Sequence, residues 1–226
     1  MQAMEETQKK HWDIFSPLPQ HLWQGQFLRK RLDNQQMQKG KWKVITLVRD
    51  PIARNVSAFF QVNRWLSKEH QNILLEAKDC RAMLDIFMSE FPQHDYPAQW
   101  FDLQIKSVLD IDVFKTSFPT EKGFQIYTGP IADMLLIRLE DLSHCHEQAF
   151  REFLGIEDFQ LKKANVADDK TYSKAYKTFL NSIAIPESYI ERLYNTSFMQ
   201  HFYRPEEIER FAQRWNSKPA TASNHG

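Results

Sequence analysis

Residues 43–61, KVITLVRDPIARNVSAFFQ, constrain the fold more than any other stretch, because an apolar run passes through Arg-Asp-Pro directly into a helical pattern. The run 44–48 is β-rich and uncharged, which predicts a strand buried on both faces in the interior of a mainly parallel sheet. Asp50 is suited to cap the following helix and Pro51 to occupy its first position. On that helix Ile52, Val56, Phe59, Phe60 and Asn63 fall near one face, Ser57 and Arg64 lie on its flank, and Arg54 lies behind. Arg49 is thereby set at the carboxyl end of a strand and beside a helix amino terminus. In open α/β sheets ligands bind at that point, and free N–H groups and the helix dipole favour an anion.

Alternation of strands and helices continues along the chain. The pattern predicts helix over most of 64–90, a Pro-bounded loop at 91–97, and a helix at 98–109 carrying Trp100, Phe101 and Ile105. Short strands follow at 124–127 and 134–139, with Gly129-Pro130 as the turn between them. Ser143 is expected to cap a helix that stops at Gly155, and further helices begin near Asp169, Pro186 and Pro205. A polar surface helix is expected at 26–38. Together these give an α/β class: a small parallel sheet flanked by helices, with a helical carboxyl-terminal part. One domain over 1–216 and a polar, disordered tail over 217–226 account for the 226 residues.

Charge excludes some functions. Lys plus Arg (29) balances Asp plus Glu (29), so no overall field draws the chain to nucleic acid or an acidic membrane, and recognition must be local. Two cysteines, Cys80 and Cys145, make neither a disulfide framework nor a zinc pattern. His144 and His146 flank Cys145 at the start of a helix, where they share a face poorly, so no metal site is expected. No run is long enough to span a membrane, and the start MQAMEETQKKHW lacks the apolar core of a signal peptide; a cytoplasmic location is expected.

Four stretches carry a family resemblance. Arg49 at a strand end with Ser57 eight positions later, in Arg-Asp-Pro-x-x-Arg followed by Ser-Ala-Phe, resembles the 3′-phosphate-binding motif of sulfotransferases that use 3′-phosphoadenosine 5′-phosphosulfate (PAPS). Residues 135–142, LLIRLEDL, resemble the late strand and Glu-Asp-Leu turn of the same fold. Residues 165–172, NVADDKTY, and the terminal HFYRPEEIERFAQRW resemble bacterial proteins called putative capsular polysaccharide synthesis proteins, which look sulfotransferase-like themselves.

The resemblance implies a P-loop-like sulfotransferase fold and transfer of sulfate from PAPS to a glycan hydroxyl in capsular or extracellular polysaccharide biosynthesis. It also implies Arg49 and Ser57 as ligands of the 3′-phosphate and Lys170 as a basic residue closing over the nucleotide. One departure stands out. The family's opening strand, Gly-Ser/Thr phosphate loop and helix have no counterpart: Gly25 and Gly40 are the only glycines ahead of Arg49, and neither leads such a loop. Residues 1–41 read as helix and loop, so the expectation is a fragment without its amino-terminal part or a remnant without catalytic equipment. The catalytic base is unassigned; His70 and His94 follow the motif with nothing to single them out. Glu140 and Asp141 read as ordering a turn, and Arg54 as solvated or paired with an acid. Two other classes stay open: a nucleotide-binding remnant without turnover, and a scaffold of a polysaccharide assembly machine.

Overall fold

A computed structural model describes residues 30, 40–61, 66–161 and 171–216. The expected helix at 26–38, the tail 217–226 and Lys170 lie outside the described residues, apart from the single residue Lys30.

The first strand, β1 (Trp42–Val48), leads into α1 (Pro51–Gln61). Asp50 caps that helix as expected: the Ile52 N–H donates to Asp50 Oδ1 at 2.9 Å. Helices α2 (Lys68–Glu76), α3 (Cys80–Glu90) and α4 (Tyr96–Trp100) follow, and α4 runs on through a π-helical stretch, Phe101–Lys106, into a last turn Ser107–Leu109. The helix expected across 64–90 is thus broken, because Ala77 adopts a left-handed conformation and Asp79 caps a new start by accepting from the Ala82 N–H. Next come β2 (Phe124–Thr128), β3 (Ala132–Arg138) and α5 (Leu142–Leu154), which ends at Gly155 as the sequence suggests. The cap position of α5 is Asp141 rather than Ser143, whose hydroxyl instead meets His144 Nδ1. Helices α6 (Ser173–Ser182), α7 (Glu187–Tyr194), α8 (Ser197–Phe202) and α9 (Pro205–Asn216) complete the chain. The short α8 has no counterpart in the periodicity reading. It is held by Thr196, whose Oγ1 accepts from the Met199 N–H.

The described strands form one sheet in the order β1-β3-β2. β1 pairs parallel with β3, while β2 and β3 form an antiparallel hairpin. The sheet is therefore mixed rather than parallel, and β1 is at its edge rather than in its interior. Helix α5 covers β3 and β2 on one face, closing a core of Phe124, Leu135, Ile137, Cys145, Ala149 and Phe153, and meets β1 at Lys43, whose Nζ lies 4.6 Å from the Phe153 ring centroid. Ile45 and Leu47 on that face are 43% and 48% exposed. The other face belongs to the main core, where Val48, Met134 and Leu136 pack with the helices and a chain of edge-to-face rings joins Phe59 of α1, Phe87 of α3 and Phe179 of α6.

Candidate functional site

The backbone leaving β1 is pinned to the turn after β3. The Leu139 N–H donates to Val48 O at 2.7 Å, and the Asp50 N–H to Glu140 Oε1 at 2.8 Å. The Asp50 side chain, 2% exposed, accepts from the Ile52 N–H and the Tyr194 hydroxyl at Oδ1 and from Trp215 Nε1–H at Oδ2. The amino terminus of α1 thus already has its anion. A ligand near this strand end meets side chains, not the free helix donors that the sequence suggests.

Those side chains line a cavity of about 370 Å³ walled by Leu47, Arg49, Arg54, Tyr96, Trp100 and Leu139, with Phe101 and Phe198 behind. Its size is within the range of small-molecule sites. Arg49 Nε is buried and has no hydrogen-bond partner among the described residues. Arg54 enters from the first turn of α1. Its Nη1 donates to Asn55 Oδ1 at 3.1 Å, its Nη2 to Gln93 Oε1 at 3.0 Å, and its guanidinium lies 5.2 Å from the Tyr96 ring centroid. Burial holds the Arg54 pKa below its usual value, and the neighbouring charge of Arg49 acts in the same direction. An arginine nevertheless stays protonated, so two cations share the cavity. The wall opposite is built where α4 passes into its π-helical stretch, a form often found next to functional sites.

Of the residues singled out in the sequence, Arg49 lines this cavity. Ser57 is half-buried on α1 and does not line it. Lys170 lies outside the described residues. Arg54 is half-buried and is paired with no carboxylate among the described residues; two neutral amides hold it. A signal was present in the sequence. The one acid within a helical turn of Arg54 is Asp50, and Asp50 is committed as the cap.

The acidic turn after β3 is structural. Arg138, 2% exposed, makes a two-pronged bond to Glu207 at 3.0 and 2.9 Å, donates to Phe202 O and pairs with Asp141. Glu140 is occupied by the Asp50 N–H and the Tyr203 hydroxyl. His94 is packed among the rings of Phe87, Phe91 and Tyr189, with Nδ1 2.6 Å from the Tyr189 hydroxyl, which itself accepts from Asn55 Nδ2. His70 is on the first turn of α2, where its N–H donates to Ser67 Oγ. No lining residue of the cavity is a carboxylate or an imidazole, so its described walls can bind an anion but offer no general base. Among the described residues no group of three or more His, Cys, Asp or Glu is placed to hold a metal, and no helix is long and apolar enough to cross a membrane.

Fold and site together define an α/β protein with a cationic, aromatic-walled cavity at the carboxyl end of a parallel strand. A family model described as putative capsular polysaccharide synthesis protein (NKWYS) matches residues 77–204, more than half of the chain, and the chain belongs to that family. The matched region holds Tyr96, Trp100, Arg138 and Glu140, whereas Arg49, Arg54 and Ser57 precede it. No curated protein and no solved structure matches the chain.

Proposed function

We propose that this family member is sulfotransferase-like and acts in capsular or extracellular polysaccharide synthesis, transferring sulfate from PAPS to a glycan hydroxyl. The observation that carries the reading is Arg49: a guanidinium at the carboxyl end of a parallel strand, opening into a cavity, with a buried Nε that has no partner among the described residues. Such an orphaned donor fits the 3′-phosphate of the nucleotide. The bound donor would supply an activated sulfuryl group. Arg49 would hold and orient the far end of that molecule without touching the reacting sulfur, so that binding energy is spent on positioning. By the resemblance, Lys170 adds a closing charge; Ser57, which the resemblance pairs with Arg49, does not line this cavity.

A second reading, a nucleotide-binding protein without turnover, is favoured by one observation: the described lining of the cavity has no general base. Titration calorimetry of the chain and of Arg49→Ala with adenosine 3′,5′-bisphosphate and adenosine 5′-phosphate tests the site. Loss of a hydrogen bond to a charged partner is worth about 1.5–3 kcal/mol, so the variant is expected to bind the bisphosphate about tenfold to a hundredfold more weakly and the monophosphate nearly unchanged. Equal losses for both would mean that Arg49 is structural. Transfer of labelled sulfate to a polysaccharide acceptor then separates the enzyme from the silent binder.

A further inference from the structure

We infer that Arg54 is a second anion-binding residue, and that Arg49 and Arg54 together grip a single doubly charged phosphomonoester in the cavity they share. The inference rests on reading this cavity as a nucleotide site. It adds a residue and a selectivity: a dianionic phosphate monoester rather than a singly charged sulfate ester or carboxylate.

The argument starts from what holds Arg54. Its two partners, Asn55 Oδ1 and Gln93 Oε1, are neutral amide oxygens, which orient a guanidinium without neutralising it. Asn55 is itself fully buried and fixed, because its Nδ2 donates to His94 O at 2.8 Å and to the Tyr189 hydroxyl at 3.1 Å. The guanidinium is therefore aimed by a rigid support, with the Tyr96 ring against it. Two of its five donors are spent and three remain.

Both arginines are half-buried, and two like charges lining one cavity repel each other, the more so where a donor such as Arg49 Nε is shut off from water. Arg49 and Arg54 line the same cavity, Arg49 has a buried unspent Nε–H, and no carboxylate pairs with either among the described residues. Solvent reaches part of both side chains but does not satisfy the orphaned Arg49 Nε–H. A cavity that keeps both cations unneutralised is preorganised for an incoming anion. A phosphomonoester fits best, since it brings a charge approaching −2 and three strong acceptor oxygens to meet donors from two planar forks.

The test uses the full chain with three probes: inorganic phosphate, adenosine 3′,5′-bisphosphate and adenosine 5′-phosphate. Arg54→Gln is expected to weaken the bisphosphate about tenfold to a hundredfold and the 5′-phosphate less than about threefold, with Arg54→Lys between. The Arg49→Gln/Arg54→Gln pair should lose less than the product of the single losses, because both groups serve one phosphate. Unchanged bisphosphate affinity in a folded Arg54→Gln overturns the inference, whereas equal losses for the two nucleotides uphold the shared grip on a phosphomonoester and overturn its assignment to the 3′-phosphate. Should Arg54→Gln not fold, Arg54→Lys decides: a several-fold loss supports the shared grip and wild-type affinity refutes it. If the wild type binds neither nucleotide but takes inorganic phosphate in an Arg54-dependent way, the nucleotide reading fails and the arginine pair stands. If it binds no phosphate in any form, the pair falls as well.

Discussion

Trp215 Nε1–H donates to Asp50 Oδ2 at 2.7 Å, tying the last described helix to the residue that caps the first, 165 positions away. Asp50 is the point where β1, α1, α7 and α9 meet, since the Tyr194 hydroxyl and the Ile52 N–H share its other oxygen. Removing the carboxylate leaves three buried or capping donors without an acceptor. Asp50→Ala is expected to cost about 3–5 kcal/mol, and Trp215→Phe, which keeps a ring and loses one hydrogen bond to a charge, about 1.5–3 kcal/mol. Urea titrations measure both, and a loss under about 1 kcal/mol for Asp50→Ala would show that the hub is not load-sharing in this way.

The second prediction concerns Arg138 and Glu207, which join β3 to α9 in a buried two-pronged pair. Breaking one partner strands a charge. Glu207→Gln and Arg138→Met should each cost about 3–5 kcal/mol, while the double change to apolar residues should recover much of it. Additive losses in a double-mutant cycle would contradict a shared interaction.

A third test is Gly123→Ala. Gly123 has φ +74°, and a Cβ added there would lie 2.5 Å from Asp141 Cβ. Both the backbone conformation and the contact oppose a side chain, so the loss should exceed the roughly 1 kcal/mol of a simple left-handed site. A shift in Asp141 would also disturb its pairing with Arg138. Thermal melts of the two proteins measure the difference; equal midpoints would show that the loop yields freely.

Stability should fall on mild acidification. Burial lowers the pKa of both His94 and His201, helped at His94 by the charge of Arg192. The folded state therefore holds these rings neutral where the unfolded chain begins to take up protons near pH 6.5, and the unfolded state binds more protons. Their contribution is fully present above that pH and is lost as pH falls through the lower folded-state values. Melting curves from pH 8 to pH 5 should show the decline, and His94→Gln should flatten it. A midpoint independent of pH over that interval would remove the histidines from the account.

Much of the scaffold was legible locally. The Asp50 cap, the strand–turn–helix at 43–61, the hairpin around Gly129 and the helix stop at Gly155 each follow from a few adjacent residues, because capping, turn geometry and glycine's left-handed freedom act over one turn of chain. The candidate site was half legible. Arg49 stands out at a strand end, whereas Arg54 reads as solvated or paired with an acid, since Gln93 and Tyr96, which hold it, belong to the distant stretch 91–97 that reads as a loop.

By itself the sequence determined that an apolar strand ends in Arg49, that Asp50 starts a helix, and that strands and helices alternate into an α/β chain with a helical end. Only the tertiary structure decided that β1 lies at the sheet edge with Ile45 and Leu47 uncovered, that the acid of Arg-Asp-Pro is buried against Trp215, and that two arginines share one cavity. The division is physical. Hydrophobic alternation reports which side chains share a face, and caps report where an element begins, whereas burial and charge pairing depend on which distant element arrives to cover that face or fails to.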